Sequence, residues 1–218
     1  MTLLMAVMDD IRIQTQPYLP LDRGQRVAKR ITDLVVAIFL LVLTAPLMLL
    51  VAIAIRCDSP GAVFYKQERV GYRGRRFQVL KFRSMVTNAE KEGIAIWATE
   101  QDPRTTRLGR LIRLMRIDEL PQLINVIRGE MSMVGPRPER LVFVKQLNQV
   151  IASYDDRHNF KPGITGWAQV SYPYGSSVED AKNKLGYDLY YVANWNLLFD
   201  LRILGTTLGV VMLCKGAR

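Results

Sequence analysis

Histidine and cysteine are scarce in this chain of 218 residues, which contains one histidine and two cysteines. The single histidine, His158, argues against a histidine-rich zinc site and against a serine–histidine triad with a spare base. The two cysteines, Cys57 and Cys214, lack metal-site or redox spacing and are too few for a disulfide framework. The chemistry of an active site in this chain must therefore come from other side chains.

Charged residues are absent from residues 34–55, a run of 22 positions. A helix of roughly 20 apolar residues is long enough to cross a bilayer. Pro46 lies near the middle of the run, and a proline inside a helix removes a backbone hydrogen bond and breaks or kinks the helix. A cleaved signal peptide has a shorter apolar region, of about 7–15 residues, nearer the start of the chain. The run is therefore predicted to be a membrane anchor broken at Pro46.

Basic residues flank this run on both sides. In short flanks such residues mark the cytoplasmic side of a membrane, so both ends of the anchor are expected in the cytoplasm. A straight span cannot meet that condition, whereas a re-entrant helix that turns at Pro46 can. An ordinary bitopic helix with a tolerated proline is the alternative. The flanking residues are Arg23, Arg26, Lys29 and Arg30 before the run, and Arg56, Lys66, Arg69, Arg73, Arg75 and Arg76 after it.

The formal net charge of +10 indicates a polyanionic partner, which is nucleic acid, anionic lipid or a phosphorylated substrate. Beside a membrane anchor, lipid headgroups and phosphates are favoured over nucleic acid. The length suffices for one domain with a sizeable core. The predicted organisation is a flexible lead-in over residues 1–22, the re-entrant anchor over 23–57 and a catalytic domain over 58–218.

The predicted fold is mixed α/β, mostly helical, with one small β-sheet. Apolar and aromatic runs at 62–66 and 76–82 enclose a glycine-containing turn, which predicts a β-hairpin. Ser84 is predicted to cap a short helix that runs to residue 91. The remaining prediction is a polar loop at 92–102, helices at 107–116, 118–127, 140–153, 178–193 and 197–213, and a loop at 161–167.

The predicted helix at 107–116 is amphipathic, because arginines recur every third residue with apolar residues between them. Such a helix can lie in a membrane interface, with its arginines at the headgroups. A nucleic-acid recognition helix and a solvated charged face over a protein core are the alternatives, and the anchor upstream favours the membrane over DNA. The helix at 197–213 is likewise expected on the membrane surface or packed on the core.

Two adjacent acids, Asp118 and Glu119, follow the arginines of this helix directly. Asp is a favoured helix N-cap, and Pro121 is tolerated in a first turn, so a helix is predicted to begin here. A helix N-terminus with arginines beside it attracts anions. Two acids in that positive field make sense if they handle a phosphate and a divalent metal ion.

Six features in order along the chain resemble the bacterial sugar transferase family, the monotopic phosphoglycosyl transferases that transfer sugar phosphates to polyprenyl phosphate. The resemblance extends from Lys29 to Gly216. The sequences at 187–191 and 200–201 resemble the subset that acts on hexose-type sugars, many of which carry extra transmembrane helices and another domain; this chain is expected to correspond to their catalytic core. The six features are the broken anchor with its basic flanks and the segments 67–71, 81–85, 118–123, 131–138 and 161–166.

The resemblance implies transfer of a hexose-type sugar phosphate from a nucleotide diphosphosugar such as a UDP-sugar to undecaprenyl phosphate at the cytoplasmic face of the bacterial inner membrane. A carboxylate can act as the nucleophile on phosphorus, and this role is assigned to Asp118. Glu119 would assist proton removal or, with Asp118, hold Mg²⁺. The residues expected to bind phosphate or shape the nucleotide pocket are Arg113, Arg137, Pro136, Pro138, Lys81 and Arg83, with lipid binding as the alternative for Lys81.

Two other functions fit the sequence less well. A membrane-tethered basic adaptor or DNA-binding regulator would need no acid pair, because acids weaken binding to a phosphate backbone. A retaining glycosidase needs two carboxyl groups about 5–5.5 Å apart on either side of a glycosidic bond, and adjacent residues at one helix start are poorly placed for that. The sequence does not indicate an oligomeric state.

Overall fold

The computed structural model describes residues 20–87, 89, 102–173, 175 and 177–212. Most of the predicted lead-in and of the loop at 92–102 lies outside these ranges. The described part is mostly helical, as predicted. Its elements are α1 (Arg23–Asp58), β1 (Phe64–Val70), β2 (Arg76–Phe82), α2 (Arg107–Leu114), α3 (Gln122–Arg128), β3 (Ser132–Val134), α4 (Leu141–Val150), β4 (Gly163–Thr165), α5 (Trp167–Ser171), α6 (Val178–Ala193) and α7 (Leu197–Met212).

Helix α1 is 36 residues long and begins with a capping box. The side chain of Asp22 accepts from the Gln25 N–H, and the side chain of Gln25 accepts from the Asp22 N–H. Pro46 lies inside this helix. Two residues before it, the Thr44 hydroxyl donates to the Leu40 carbonyl at 2.7 Å. Among the described residues, α1 is the one helix that is long and apolar enough to cross a membrane by length and composition.

Both halves of α1 pack on the rest of the protein. In the N-terminal half, Ala37 is fully buried in the main core, which also contains residues of α3, β3, α6 and α7. In the C-terminal half, Val51 and Ile55 join a separate apolar cluster. Between these contacts Val42 and Leu43 are exposed by 71% and 63%. The partners of Val51 and Ile55 in the second cluster are Phe82, Ile112 and Ile117.

Strands β1 and β2 form the predicted antiparallel hairpin, with pairs running from Phe64 opposite Phe82 to Val70 opposite Arg76. The first strand begins and ends later than the run at 62–66 that predicted it. The turn requires positive φ angles of 53° at Arg73 and 73° at Gly74, which glycine adopts readily.

The prediction of one sheet is wrong, because β3 and β4 pair in parallel as a second two-stranded sheet. The segment at 161–167, predicted to be a loop, contains β4. Its glycines allow a close approach of two backbones: a Cβ atom on Gly163 would lie 2.2 Å from the Gly135 nitrogen, and one on Gly135 would lie 2.3 Å from the Lys161 carbonyl. Their function is steric, although the sequence pattern suggested a turn.

The predicted helices at 107–116, 140–153, 178–193 and 197–213 are confirmed as α2, α4, α6 and α7, with shorter bounds for the first two. Thr106 caps α2 by accepting from the Gly109 N–H. The helix predicted to begin at Ser84 is absent from residues 84–87, since Met85 instead bridges to Thr105 in an antiparallel pair. This contact places the residues that follow the hairpin next to the start of α2.

Candidate active site

Asp118 and Glu119 lie in a single 3₁₀ turn, Ile117–Glu119, between α2 and α3. The turn follows Arg116, whose left-handed conformation (φ 58°) reverses the chain after α2. The prediction that Asp118 caps a helix is wrong, because α3 begins at Gln122 with Pro121 as its N-cap. Both acids are 8% exposed, so the turn places two carboxylates in a largely buried position.

The acids open onto a cavity of about 530 Å³, here called the active-site cavity. Its wall contains eight basic and three acidic side chains, so the acids lie in a field of positive charge. Such a wall suits a ligand with several negative charges. The basic residues are Arg69, Lys81, Arg83, Arg104, Arg113, Arg116, Arg137 and Arg140, and the third acid is Glu139.

Glu119 is fixed by two cations. The Lys81 ammonium donates to its Oε1 atom at 2.9 Å, and the Arg137 guanidinium donates to the same atom at 2.7 Å. Burial alone would raise the pKa of Glu119, but the charges of Arg137 and Lys81 outweigh burial and hold this pKa well below its usual value. Glu119 is therefore ionised and immobile.

Asp118 has a different environment from its neighbour. Within the described ranges, no group donates a hydrogen bond to its carboxylate. Burial and the neighbouring charge of Glu119 raise the pKa of Asp118 to about 6, against the opposing charges of Lys81 and Arg113. At pH 7 the carboxylate is still largely ionised. An ionised, unpaired carboxylate at the wall of a cationic cavity has the properties of a nucleophile.

Arg137 reaches Glu119 because its backbone is held from two sides. Buried Arg157 donates to the Arg137 carbonyl at 2.9 Å, and Arg69 donates to the Pro138 carbonyl at 3.1 Å. Arg157 is itself paired with Asp188 on α6 at 2.7 Å. No sequence motif pointed to Arg157, whereas Arg69 lies in the segment 67–71.

The other predicted site residues take different positions. Arg113 lines the cavity and donates to the Thr105 hydroxyl at 3.2 Å. Pro136 is buried, and its carbonyl accepts from the Gly163 N–H at 3.0 Å. Pro138, on the other side of Arg137, accepts from Arg69 at its own carbonyl. Both flanks of Arg137 are therefore held by hydrogen bonds. The contribution of the two prolines to a nucleotide pocket stays a prediction.

Arg83 also lines the cavity, but its guanidinium is occupied by the end of α1. The Arg83 Nη2 atom donates to the Ser59 carbonyl at 2.7 Å and to the Ile55 carbonyl at 3.3 Å, and Nη1 donates to the Pro60 carbonyl at 2.9 Å. Cations near the last carbonyls stabilise a helix C-terminus. Arg83 therefore acts as a helix cap, and its predicted phosphate binding remains untested.

The predicted metal site consists of two carboxylates only. Within the described residues, no group of three or more His, Cys, Asp or Glu side chains could hold a metal ion. Mg²⁺ is commonly bound by one or two carboxylates together with substrate phosphates and water. The adjacent Asp118 and Glu119 carboxylates fit an ion of that kind, shared with a phosphorylated ligand.

Comparison with known proteins shows which sequences this chain is similar to. A family model described as bacterial sugar transferase matches residues 24–214. The UDP-N-acetylgalactosamine-undecaprenyl-phosphate N-acetylgalactosaminephosphotransferase of Aeromonas hydrophila is 44% identical over 190 residues, which are 87% of this chain and 45% of that protein. The UDP-glucose:undecaprenyl-phosphate glucose-1-phosphate transferase of Escherichia coli is 40% identical over 86% of this chain and 41% of its own length.

This chain therefore spans less than half the length of these two relatives. A shorter relative, the uncharacterized sugar transferase EpsL of Bacillus subtilis, is 39% identical over 87% of this chain and 90% of its own length.

Proposed function

This chain belongs to the bacterial sugar transferase family, and we propose that it transfers a sugar phosphate from a UDP-sugar to undecaprenyl phosphate and releases UMP. The observation that supports this reaction most directly is the unequal environment of the two acids. Glu119 is paired with two cations, and Asp118 is left without a hydrogen bond among the described residues, at the wall of the same basic cavity.

The reaction proceeds in two displacements at one phosphorus atom. An oxygen of Asp118 attacks the β-phosphorus of the UDP-sugar, and the bond from that phosphorus to the bridging oxygen breaks. UMP leaves with the electron pair, and the sugar phosphate remains on Asp118 as an acyl phosphate. A phosphate oxygen of the lipid then attacks the same phosphorus, and the carboxylate of Asp118 is released unchanged.

The surrounding charges suit the transferring group. Arg113 and Arg137 would pair with phosphate oxygens as negative charge moves between attacking and leaving groups. Lys81 and Arg137 hold Glu119 beside the reacting carboxylate. Asp118 and Glu119 would hold Mg²⁺, which when bound supplies Lewis-acid stabilisation of the phosphate oxygens.

We also propose that α1 enters the membrane and returns to the same face. Both halves of this helix contact one small folded body, through Ala37 in the N-terminal half and Ile55 in the C-terminal half. A helix that spanned the bilayer would separate those contacts by about 30 Å of hydrocarbon. The exposed side chains between the contacts belong in the hydrocarbon, with Pro46 at the deepest point.

The basic residues at both ends of α1 favour the cytoplasmic face for the folded body. Helix α2 exposes Leu111 and Leu114, Met115 is exposed directly after it, and α7 exposes Leu198 and Leu208. The neighbouring residues Arg113 and Arg116 line the active-site cavity. These apolar side chains suit the boundary between headgroups and acyl chains. Asp118 would then lie at the depth of the acceptor's phosphate.

The test is incubation of the purified protein in lipid nanodiscs with UDP-glucose or UDP-N-acetylgalactosamine and undecaprenyl phosphate. We expect release of UMP and formation of a lipid-linked diphosphosugar. Asp118→Asn should abolish both, because an amide cannot serve as the nucleophile. Asp156→Asn, the same change at an exposed acid, should retain turnover. Absence of UMP release from the wild-type protein with every UDP-sugar would refute the proposal.

A further inference from the structure

The N-terminal half of α1 meets the C-terminal end of α3 at a notch that two cations line. A Cβ atom added to Gly129, the residue that follows α3, would lie 3.6 Å from both Arg30 Nη2 and Lys161 Nζ. Apart from the chain neighbours of Gly129, no described atom would lie nearer. The two cations therefore face each other across an open position, here called the basic notch and defined by Arg30, Gly129 and Lys161.

The two cations of the notch differ in their partners. Arg30 donates to the Val126 carbonyl at 2.7 Å and to the Ile127 carbonyl at 2.8 Å, so it caps α3. Among the described residues, none accepts a hydrogen bond from the half-buried Lys161 ammonium. Burial lowers the pKa of Lys161, and the charge of Arg30 lowers it further. The notch thus contains a partly desolvated cation without a bonded counter-ion in the described chain.

The acids near the notch are bonded elsewhere. Asp33, whose charge acts on Lys161, is buried and accepts hydrogen bonds from two groups of β3, at 2.8 and 2.9 Å. Glu130, which follows Gly129, accepts from the Asn125 amide at 2.7 Å. Crowding like charges in a partly desolvated place costs free energy unless opposite charge compensates it. These acids compensate the notch only in part, which leaves a place for an anionic ligand.

The notch lies beside the outward apolar face of α1. Val27, Ile31 and Val35 lie on one face of this helix and are exposed by 51%, 57% and 62%. Arg128, the last residue of α3, is exposed next to Gly129 and adds a third cation. Both a re-entrant and a bitopic α1 would place this end of the helix at the membrane surface. Cations beside an apolar helix face at that depth suit a lipid with a negative headgroup.

We infer that the basic notch binds the headgroup of one anionic phospholipid, with the Lys161 ammonium donating to its phosphate oxygens and its acyl chains lying along Ile31 and Val35. A hydrogen bond between charged groups is stronger than one between neutral groups. Arg30 and Arg128 add attraction from their positions at the end of α3. The bound lipid would connect α1, α3 and the segment before β4. This inference goes beyond the proposed reaction and requires only that α1 enters the membrane.

The acceptor lipid of the proposed reaction does not fit this position. Its phosphate must reach Asp118, which precedes the N-terminal end of α3, whereas the notch is at the C-terminal end. A helix of seven residues is about 10 Å long, so that length separates the two positions. None of the three basic residues Arg30, Arg128 and Lys161 lines the active-site cavity. The notch is therefore a site for a membrane lipid that the reaction does not consume.

The test measures lipid binding to the detergent-purified protein by native mass spectrometry, with phosphatidylglycerol or phosphatidylcholine added and no UDP-sugar. We expect the wild-type protein to bind one phosphatidylglycerol about tenfold more tightly than phosphatidylcholine, as for one charge-assisted hydrogen bond. Lys161→Gln should remove this preference, and Lys161→Arg should retain it. Lys145→Gln removes the same charge at an exposed position on α4 and should bind as wild type.

Arg128→Gln is a second variant that does not disturb the packing of Lys161, because Arg128 is exposed. It should weaken phosphatidylglycerol binding, whereas Lys145→Gln should not. Equal affinity of the wild-type protein for the two lipids would overturn the inference, as would wild-type binding by both Lys161→Gln and Arg128→Gln. Displacement of phosphatidylglycerol by millimolar inorganic phosphate would assign the notch to a free anion and also overturn it. No outcome depends on release of UMP, so failure of this inference is distinct from failure of the proposed function.

Discussion

At the scale of single residues, the site depends on which cations reach which carboxylate. Lys81 and Arg137 both donate to one oxygen of Glu119, and Asp118 accepts from no described residue. The pKa values of the two acids consequently move in opposite directions, as expected when one acid is to remain a fixed anion and the other is to react. The sequence pair Asp-Glu identified the site, but only the contacts separate the two roles.

The raised pKa of Asp118 predicts a pH dependence of the first displacement. Only the carboxylate can attack phosphorus, and the pKa of this group is about 6. Single-turnover UMP release, measured without acceptor, should rise as the pH increases through about 6 and then level off. A rate that stays constant well below this pH would contradict the raised pKa.

The same pKa predicts an effect of Asp118→Asn on stability. The pKa of this carboxyl group is raised from 3.8 to about 6 in the folded chain, so its ionised form opposes folding. The free energy of unfolding therefore falls as the pH rises through this range. The variant avoids this cost, which is at most about 3 kcal/mol. It should therefore melt at a higher temperature than wild type near neutral pH.

Below about pH 3, Asp118 is protonated in both the folded and the unfolded chain, so the difference in melting temperature should disappear there. A variant that melts below wild type near neutral pH would show that the carboxylate contributes a stabilising contact.

Replacement of Arg137 by lysine tests the shape of its guanidinium. Lysine keeps the charge but loses the planar fork that can pair with two oxygens at once. We expect kcat/KM to fall at least about tenfold. Arg128→Lys, an exposed arginine on α3, is the control. Wild-type kinetics for Arg137→Lys would assign this residue to the scaffold.

At the scale of secondary-structure elements, the short parallel pair β3–β4 fixes the segment that contains Arg137. The approach of the two strands leaves no room for a side chain at Gly163. Gly163→Ala should reduce the free energy of unfolding by about 1–3 kcal/mol, typical of overpacking, and should also lower activity by displacing Arg137. Thermal melting and UMP release would measure the two effects.

Gly205→Ala is the matched control for this substitution. Gly205 lies in α7, and an added Cβ atom there meets nothing within 4 Å. Alanine should be neutral or stabilise the helix by up to about 1 kcal/mol. Equal effects of the two alanine variants would contradict the steric role of Gly163.

Elements with strong local signals were predictable from the sequence. The spacing of arginines and apolar residues predicted α2, and the helix at 178–193 has the bounds of α6. The 3₁₀ turn at Ile117–Glu119 and the three-residue strand β4 were missed, because tertiary contacts determine both. The same reason explains why Asp118 was recognised by its motif, while the buried partners Arg157 and Asp188 were not.

At the scale of the whole molecule, α1 is joined to the catalytic body by charge as well as by apolar packing. Lys29 is buried, pairs with Asp200 on α7 at 2.7 Å and donates to the Val134 carbonyl at 3.0 Å. The other end of the helix is capped by Arg83. In the proposed membrane-inserted arrangement, the depth of this helix would be coupled to the position of the site.

Cysteine labelling in intact cells tests the proposed re-entrant topology. Cys57 is exposed at the end of α1, and a second reporter is Arg26→Cys with Cys57→Ser, both in a background with Cys214→Ser. A membrane-impermeant thiol reagent should label neither site until the membrane is opened, because the proposed topology places both on the cytoplasmic side. Labelling of the site at position 26 in intact cells would indicate a bitopic helix.

Pro46→Leu is the companion variant for this experiment. Leucine restores the backbone donor that proline lacks and favours a straight helix. We expect the chain to move towards a bitopic state and to lose activity, although every residue of the active-site cavity is unchanged. A fully active variant with unchanged labelling would show that Pro46 does not determine the topology.

The central claim, that Asp118 is the nucleophile, is tested most directly by intact mass spectrometry of the protein incubated with a UDP-sugar and no acceptor. We predict a mass increase of one sugar phosphate on the wild-type protein, located on Asp118 by peptide mapping and lost when undecaprenyl phosphate is added. Asp118→Asn should show no adduct and no turnover. Near-normal turnover of Asp118→Asn, or an adduct on another residue, would contradict this account.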